Sequence, residues 1–152
     1  MHRVVAAALY FALIAPGGAQ ASGKALTASR FEAITRADLE KMRSGCSFAA
    51  FRGKELIAIS VGEMDAPDAV PGKPRFWFRL DGKLTQMRGE AKKQDEKIQH
   101  LGVWTGTVAG HSLRIREGRR DPTFKNDGGG EAGTGRIEWT GGGMAVRWEA
   151  GC

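Results

Sequence analysis

The sequence predicts a mainly β fold: a small antiparallel barrel or sandwich of about eight strands with one N-terminal helix. Three observations carry that prediction. From Cys46 onward apolar residues recur with a period of two, glycine-bearing turn signals separate the runs, and most of the connections are short. Parallel strands need long crossover segments, so short turns favour an up-and-down antiparallel arrangement. No repeat of about 20–50 residues is visible, which argues against a solenoid or propeller.

The chain opens with the three parts of a secretory signal peptide. Arg3 supplies a positive start, and Val4 to Ala15 is an uncharged apolar run of 12 residues. Pro16-Gly17-Gly18 then breaks the helix, and Ala19-Gln20-Ala21 offers the small-x-small pattern of a cleavage site. A membrane span needs about 20 apolar residues, so this run is too short to remain as an anchor. The expected division is therefore a signal peptide over 1–21 and a single β-rich domain over 22–152. No later stretch is apolar enough to span a bilayer, and the expected product is a soluble periplasmic or secreted monomer.

In the mature part, Ser22 to Ser29 reads as loosely ordered. Thr35 and Asp38 have the spacing of a capping box, and Ile34, Leu39 and Met42 form a narrow apolar stripe, so a helix is predicted to run from Thr35 to Ser44-Gly45. Phe31 and Ile34 anchor it. The predicted strand region follows. Cys46 to Phe51 and Leu56 to Val61 flank Arg52-Gly53-Lys54, and residues 76–80 and 83–90 flank Asp81-Gly82, the clearest hairpin signal in the chain. Leu101 to Val108 and Ser112 to Glu117 flank Ala109-Gly110-His111. The last two strands meet at Gly141-Gly142-Gly143. Asp65 to Pro74 and the charged stretch Ala91 to Gln99 read as loops, and Asp121 to Gly135 as a Gly-rich mobile connection. Alternation nominates a core of Phe48, Ile57, Ile59, Phe76, Phe78, Leu80, Leu101, Val103, Leu113, Ile115, Ile137, Trp139, Val146 and Trp148.

Export changes the reading of the two cysteines. Oxidising compartments favour disulfides, and two cysteines without CxxC spacing argue against redox or zinc chemistry. A Cys46–Cys152 bridge is expected; an intermolecular bond or free thiols are the alternatives. The formal charge is +6. Nucleic acid is excluded as a partner by the expected address, leaving an unknown protein or an anionic envelope component.

Catalytic chemistry finds little support. No serine lies in a GxSxG elbow, and His100 and His111 belong to no HExxH or HxxxH pattern. No metal site and no cofactor is predicted, and the Gly-rich stretch Asn126 to Gly135 matches no phosphate loop. The basic residues carry more information. Arg114 and Arg116 alternate with Leu113 and Ile115, so they project from one strand, and Arg119 extends the positive run. Trp77 and Trp104 are out of phase with the predicted core of their strands. An exposed tryptophan beside basic residues is a combination found at protein interfaces and polyanion sites, so Arg114, Arg116, Arg119, Trp77 and Trp104 are the candidate binding residues. The alternative is that both faces of these strands are buried.

A signal peptide, Ser44 to Phe48 opening the strand region, the Asp81-Gly82 hairpin and a terminal Gly151-Cys152 together resemble small exported proteins of Gram-negative bacteria whose activity is unassigned. The chain is also similar, more faintly, to small periplasmic lysozyme inhibitors, which are disulfide-closed antiparallel β-barrels; no inhibitory residue transfers. These resemblances imply a periplasmic address. The expected function is a non-enzymatic binding or interaction module, inhibitor-like in its broad form. The alternatives are a small envelope hydrolase or metal-dependent enzyme built around His100 or His111, and a structural envelope protein.

Overall fold

The computed structural model describes residues 23–42, 47–61, 75–88, 90–91, 102–125 and 127–151. The expected signal peptide, Cys46, Cys152, His100, Leu101, the Asp65–Pro74 loop and the charged residues 92–99 lie outside the described residues.

Among the described residues, ten strands build one antiparallel sheet. They are β1 (Phe31–Glu32), β2 (Ser47–Arg52), β3 (Glu55–Val61), β4 (Arg75–Leu80), β5 (Lys83–Arg88), β6 (Glu90–Ala91), β7 (Val103–Val108), β8 (His111–Arg120), β9 (Glu131–Trp139) and β10 (Gly142–Gly151). Hydrogen-bonded neighbours run β1-β4-β3-β2-β10-β9-β8-β7-β6, and β5 pairs with β4. Because β6 begins two residues after β5 ends, the path returns nearly to its start and the sheet curls into a barrel-like form. The mainly β, up-and-down prediction therefore holds.

Four two-residue turns close hairpins, at residues 53–54, 81–82, 109–110 and 140–141. Asp81 and Gly82 have φ of 47° and 77°, and Ala109 and Gly110 have 47° and 80°. Positive φ at both central positions is the twist that matches a right-handed β-ribbon. All four turns lie at one end of the barrel.

The end with the tight turns is plugged by the N-terminal segment. Phe31 is fully buried against Phe78 and Trp139, with ring centroids 5.8 and 5.3 Å apart. Burying a side chain of that size contributes about 1.5–3 kcal/mol. Arginines tie the plug down. Arg30 pairs with Asp81 at 2.6 Å, and Arg52 donates to the carbonyls of Ala28 and Phe31 at 2.8 and 3.0 Å.

The predicted helix is a single turn, α1 (Arg36–Leu39). Its capping box forms as expected: the Asp38 amide donates to the Thr35 hydroxyl and the Thr35 amide donates to the Asp38 carboxylate. The face it turns to the barrel is polar, however. Asp38 is buried and takes Arg79 at 2.9 Å, while Leu39 is exposed. With Leu39 outside, too little apolar burial is available to propagate a longer helix.

Inside the barrel, Phe48 meets Trp104, Phe76 and Trp148 at 5.2, 6.0 and 6.0 Å between ring centroids. Three expectations need correction here. Val103 was assigned to the core and Trp104 to the opposite face, but Trp104 packs against Phe48 and Phe76, and Val108 on the same face is fully buried. Ile59 is half-buried: its register partner is the outward Trp77, while its neighbour Ala58 pairs with the inward Phe78. The ladder between β2 and β3 slips between Ala50 and Phe51, and Ile57 and Ala58 are both buried in succession. A bulge shifts the side-chain phase in this way.

The third correction concerns the glycines. Gly133 and Gly135 belong to β9, not to a mobile loop. A Cβ at Gly133 would sit 2.8 Å from the Trp148 ring and 2.3 Å from the Arg119 carbonyl oxygen; at Gly135 it would sit 2.5 Å from the Arg116 carbonyl oxygen. The missing side chains let the indole of Trp148 lie flat on the strand, and its Nε1 donates to the Thr134 carbonyl at 2.9 Å.

Candidate functional site

Strand alternation decides which residues reach the outer face. With Leu113 and Ile115 buried, Ser112, Arg114 and Arg116 point outward, and all three are exposed. On β4, Phe76 and Phe78 point in and Trp77 points out, half-buried. Register then lines these side chains up across the sheet. Trp77 opposes Gln86 on β5, Thr105 on β7 opposes Arg114 on β8, and Arg114 opposes Glu138 on β9.

Among the described residues no ladder joins β5 to β7: β5 pairs with β4, and only β6 pairs with β7. At that seam the outer face holds a shallow groove of about 820 Å³, lined by Gln86, Thr105, Thr107, Ser112 and Arg114 with the backbone of Gly106. Arg114 lines it on the β8 side, and Trp77 is the register partner of Gln86 on the other. Arg114 forms no ion pair among the described residues, whereas Arg116 is held by Glu138 at 3.2 Å, which also takes Arg136 at 3.5 Å. The groove thus presents one unpaired guanidinium, three hydroxyls and an amide, with the Trp77 indole one strand beyond Gln86.

The five candidate residues separate into three places. Arg114, Arg116 and Trp77 share the outer face around the groove. Trp104 belongs to the interior aromatic cluster. Arg119 lies at the far end of β8, where the ladder to β9 slips between Glu117 and Arg120, so that Gly118 and Arg119 together oppose Thr134. Sequence reasoning passed over Gln86, Thr105, Thr107 and Ser112, whose only signal was the period of two on their strands.

The titratable groups with displaced pKa values are tied into the framework. The Asp38 carboxyl is held below the usual range by the backbone and side chain of Thr35 and then by Arg79. Asp81 is lowered by its hydrogen bonds from Arg30, and Asp121 by the hydroxyl and amide of Thr123. Glu117 moves the other way: burial raises it, against the pull of the Gly102 amide, which donates to it at 2.7 Å. His111 begins β8 at the plugged end and is half-buried. Among the described residues, no group of three or more His, Cys, Asp or Glu is gathered that could hold a metal. No described helix is long and apolar enough to cross a membrane.

Comparison with protein-family models, with curated proteins and with solved structures finds no match to this chain.

Proposed function

We propose that this chain is an exported, non-enzymatic binding module that engages an anionic envelope component through the outer groove between β5 and β8. The observation that supports it best is the placement of two register pairs, Trp77 with Gln86 and Thr105 with Arg114, on the four strands of two hairpins, with the groove open between them. A half-buried indole supplies apolar contact area that is already partly ordered, and an unpaired guanidinium supplies a planar fork for carboxylate, phosphate or sulfate. Hydroxyls and an amide between them can hydrogen-bond a polar backbone or sugar. The excess of basic residues steers an acidic partner toward the molecule at low ionic strength.

Residues 1–21 are the signal peptide in this reading, and Cys46 and Cys152 form an intramolecular bridge. Support for the bridge comes from the register of β2 and β10, whose outermost pair among the described residues is Ser47 with Gly151. In sequence, Cys46 precedes Ser47 and Cys152 follows Gly151. Cross-strand neighbours lie within the Cα separation that a disulfide requires.

The experiment is a titration of the protein with dextran sulfate and with polyglutamate, read by tryptophan fluorescence, with uncharged dextran as the control. Saturable, salt-sensitive binding is expected for an acidic polymer and none for dextran. The Arg114→Glu/Arg116→Glu double variant should lose about tenfold or more in affinity, and Trp77→Ala a similar amount. Undiminished binding by the double variant, with its circular dichroism spectrum intact, removes the groove from consideration.

A further inference from the structure

A second pocket, distinct from the groove, lies where β8 runs into the loop that precedes β9. We infer that it is a site for a small organic anion carrying a single ring. Its floor is the outer face of β9, Ala132 and Thr134, and its walls are Arg119, the turn Asp121–Phe124, and Arg147 from β10. The space enclosed is about 450 Å³. Small-molecule sites typically fall in the range of about 300–1,000 Å³ and combine an apolar lining with a few placed polar groups.

Backbone geometry builds this pocket. The slip in the β8–β9 ladder sets Gly118 and Arg119 against the single residue Thr134. A Cβ at Gly118 would lie 2.8 Å from the Thr134 carbonyl oxygen, so the close approach requires glycine. A bulge of this kind bends its strand and re-aims the adjoining side chain, here Arg119. Arg119 is exposed and has no ion-pair partner among the described residues. The loop then folds back over β9: the Asp121 amide donates to the Ala132 carbonyl at 2.8 Å, and Ala132, whose position in the strand faces outward, is buried beneath it. Phe124 is half-buried in the same turn.

Charge and shape select the ligand. Arg119, Arg120 and Arg147 line the pocket with the carboxylate of Asp121, and Arg120 is already paired with Glu131 at 2.5 Å, so Arg119 is the cation left for a ligand. Asp121 is engaged locally, accepting from the Thr123 hydroxyl at 2.6 Å and the Thr123 amide at 2.9 Å. Arg147 is held in place on both sides, by Glu149 and by the Phe51 ring 5.0 Å below its guanidinium carbon. A guanidinium has five N–H groups, so one ion pair leaves donors for a second anion. Pro122, Phe124 and Ala132 supply an apolar surface for one ring, and the hydroxyls of Thr123 and Thr134 mark its polar edge. An anion alone would leave the apolar wall bare, and a neutral ring would leave Arg119 unused.

The test is a titration of the uniformly ¹⁵N-labelled chain with 3-phenylpropionate, with propionate and 3-phenylpropanol as separate controls. Saturable shifts are expected at the amides of Thr123, Phe124, Gly133 and Thr134, with each control weaker by about tenfold or more. Arg119→Gln should lose the response while the remaining amide signals keep their positions, which shows the fold intact. Phe124→Ala should lose it to 3-phenylpropionate without changing the small response to propionate. No saturable shift up to about 10 mM, shifts centred elsewhere, or an equal response to either control overturns the inference. A peptide ending in phenylalanine presents the same chemistry. Its binding in place of the free acid, at the same amides, identifies the source as a chain terminus.

Discussion

Ser47 and Gly151 face one another as the outermost register pair of the ladder that joins β2 to β10. That ladder is the join between the first and last long strands of the barrel, and in sequence Cys46 precedes Ser47 and Cys152 follows Gly151. A Cys46–Cys152 bond would close a loop of roughly 106 residues, for which chain entropy gives roughly 4–5 kcal/mol, with measured values often smaller. Non-reducing mass spectrometry of the oxidised protein should find one linked peptide pair at these positions and a processed N-terminus at Ser22. Reduction, or Cys46→Ser/Cys152→Ser, should lower the thermal midpoint without abolishing the sheet. Two free thiols would count against the bridge and against the oxidising address that motivated it.

Trp148 and Gly133 are a matched pair. The substitution Gly133→Ala places a methyl group against both the indole and the Arg119 carbonyl. Overpacking of this kind costs about 1–3 kcal/mol, and the backbone contact puts the expected value at the upper end. Trp148→Ala should cost about 3–5 kcal/mol by leaving a cavity in the core. Urea unfolding of both single variants and the double variant should show non-additivity, with Gly133→Ala costing less once the indole is gone.

Ala109 holds a φ of 47° in a turn where only its neighbour is glycine. A left-handed conformation costs an L-residue about 1–2 kcal/mol, and asparagine meets that cost better than alanine. Ala109→Asn should therefore raise stability by about 0.5–1 kcal/mol, read as a higher urea midpoint at unchanged slope. A neutral or lower midpoint would mean that the turn relaxes in solution.

Acid should loosen the N-terminal plug. Asp38 is held below its unfolded pKa by Thr35 and Arg79, so the folded state binds fewer protons there than the unfolded chain does. Its stabilising contribution is present above about pH 4 and is lost as pH falls through the folded value. Asp81 and Asp121 act in the same direction, whereas Glu117, raised by burial, contributes less as pH rises past its unfolded value. The thermal midpoint of the protein should fall steeply below about pH 4, and Asp38→Asn should flatten that fall while lowering stability at neutral pH. Parallel curves for the two proteins would show that Asp38 does not couple acid to unfolding.

The turns were legible because their chemistry is local. Asp81-Gly82 and Ala109-Gly110 need positive φ, and glycine placement records that need in the chain itself. The capping box of Thr35 and Asp38 was legible for the same reason, but the helix length was not, since it depends on what Leu39 meets in space. Strand phase was ambiguous wherever two adjacent residues were both apolar. Val103 and Trp104 are such a pair, and only the presence of Phe48 and Phe76 across the barrel decides which turns inward.

Arg114 and Arg116 were readable from alternation alone, but the groove beside them was not, because it arises from a seam between strands that pair elsewhere. The pocket at Arg119 depends on a bulge. Its one trace in the sequence is Gly118 inside an otherwise strand-like run, a position where glycine signals close backbone approach.

The barrel's last long strand, β10, lies beside its first, β2, and that adjacency sets a schedule for folding. Chains are made from the N-terminus, so β2 has one flank unoccupied until β10 has emerged. Contacts so distant along the chain form slowly, because the loop entropy must be overcome before the pairing rewards it. Pairing of the two strands therefore waits for nearly the whole chain, and the closing ladder between β2 and β10 is the contact expected to form last.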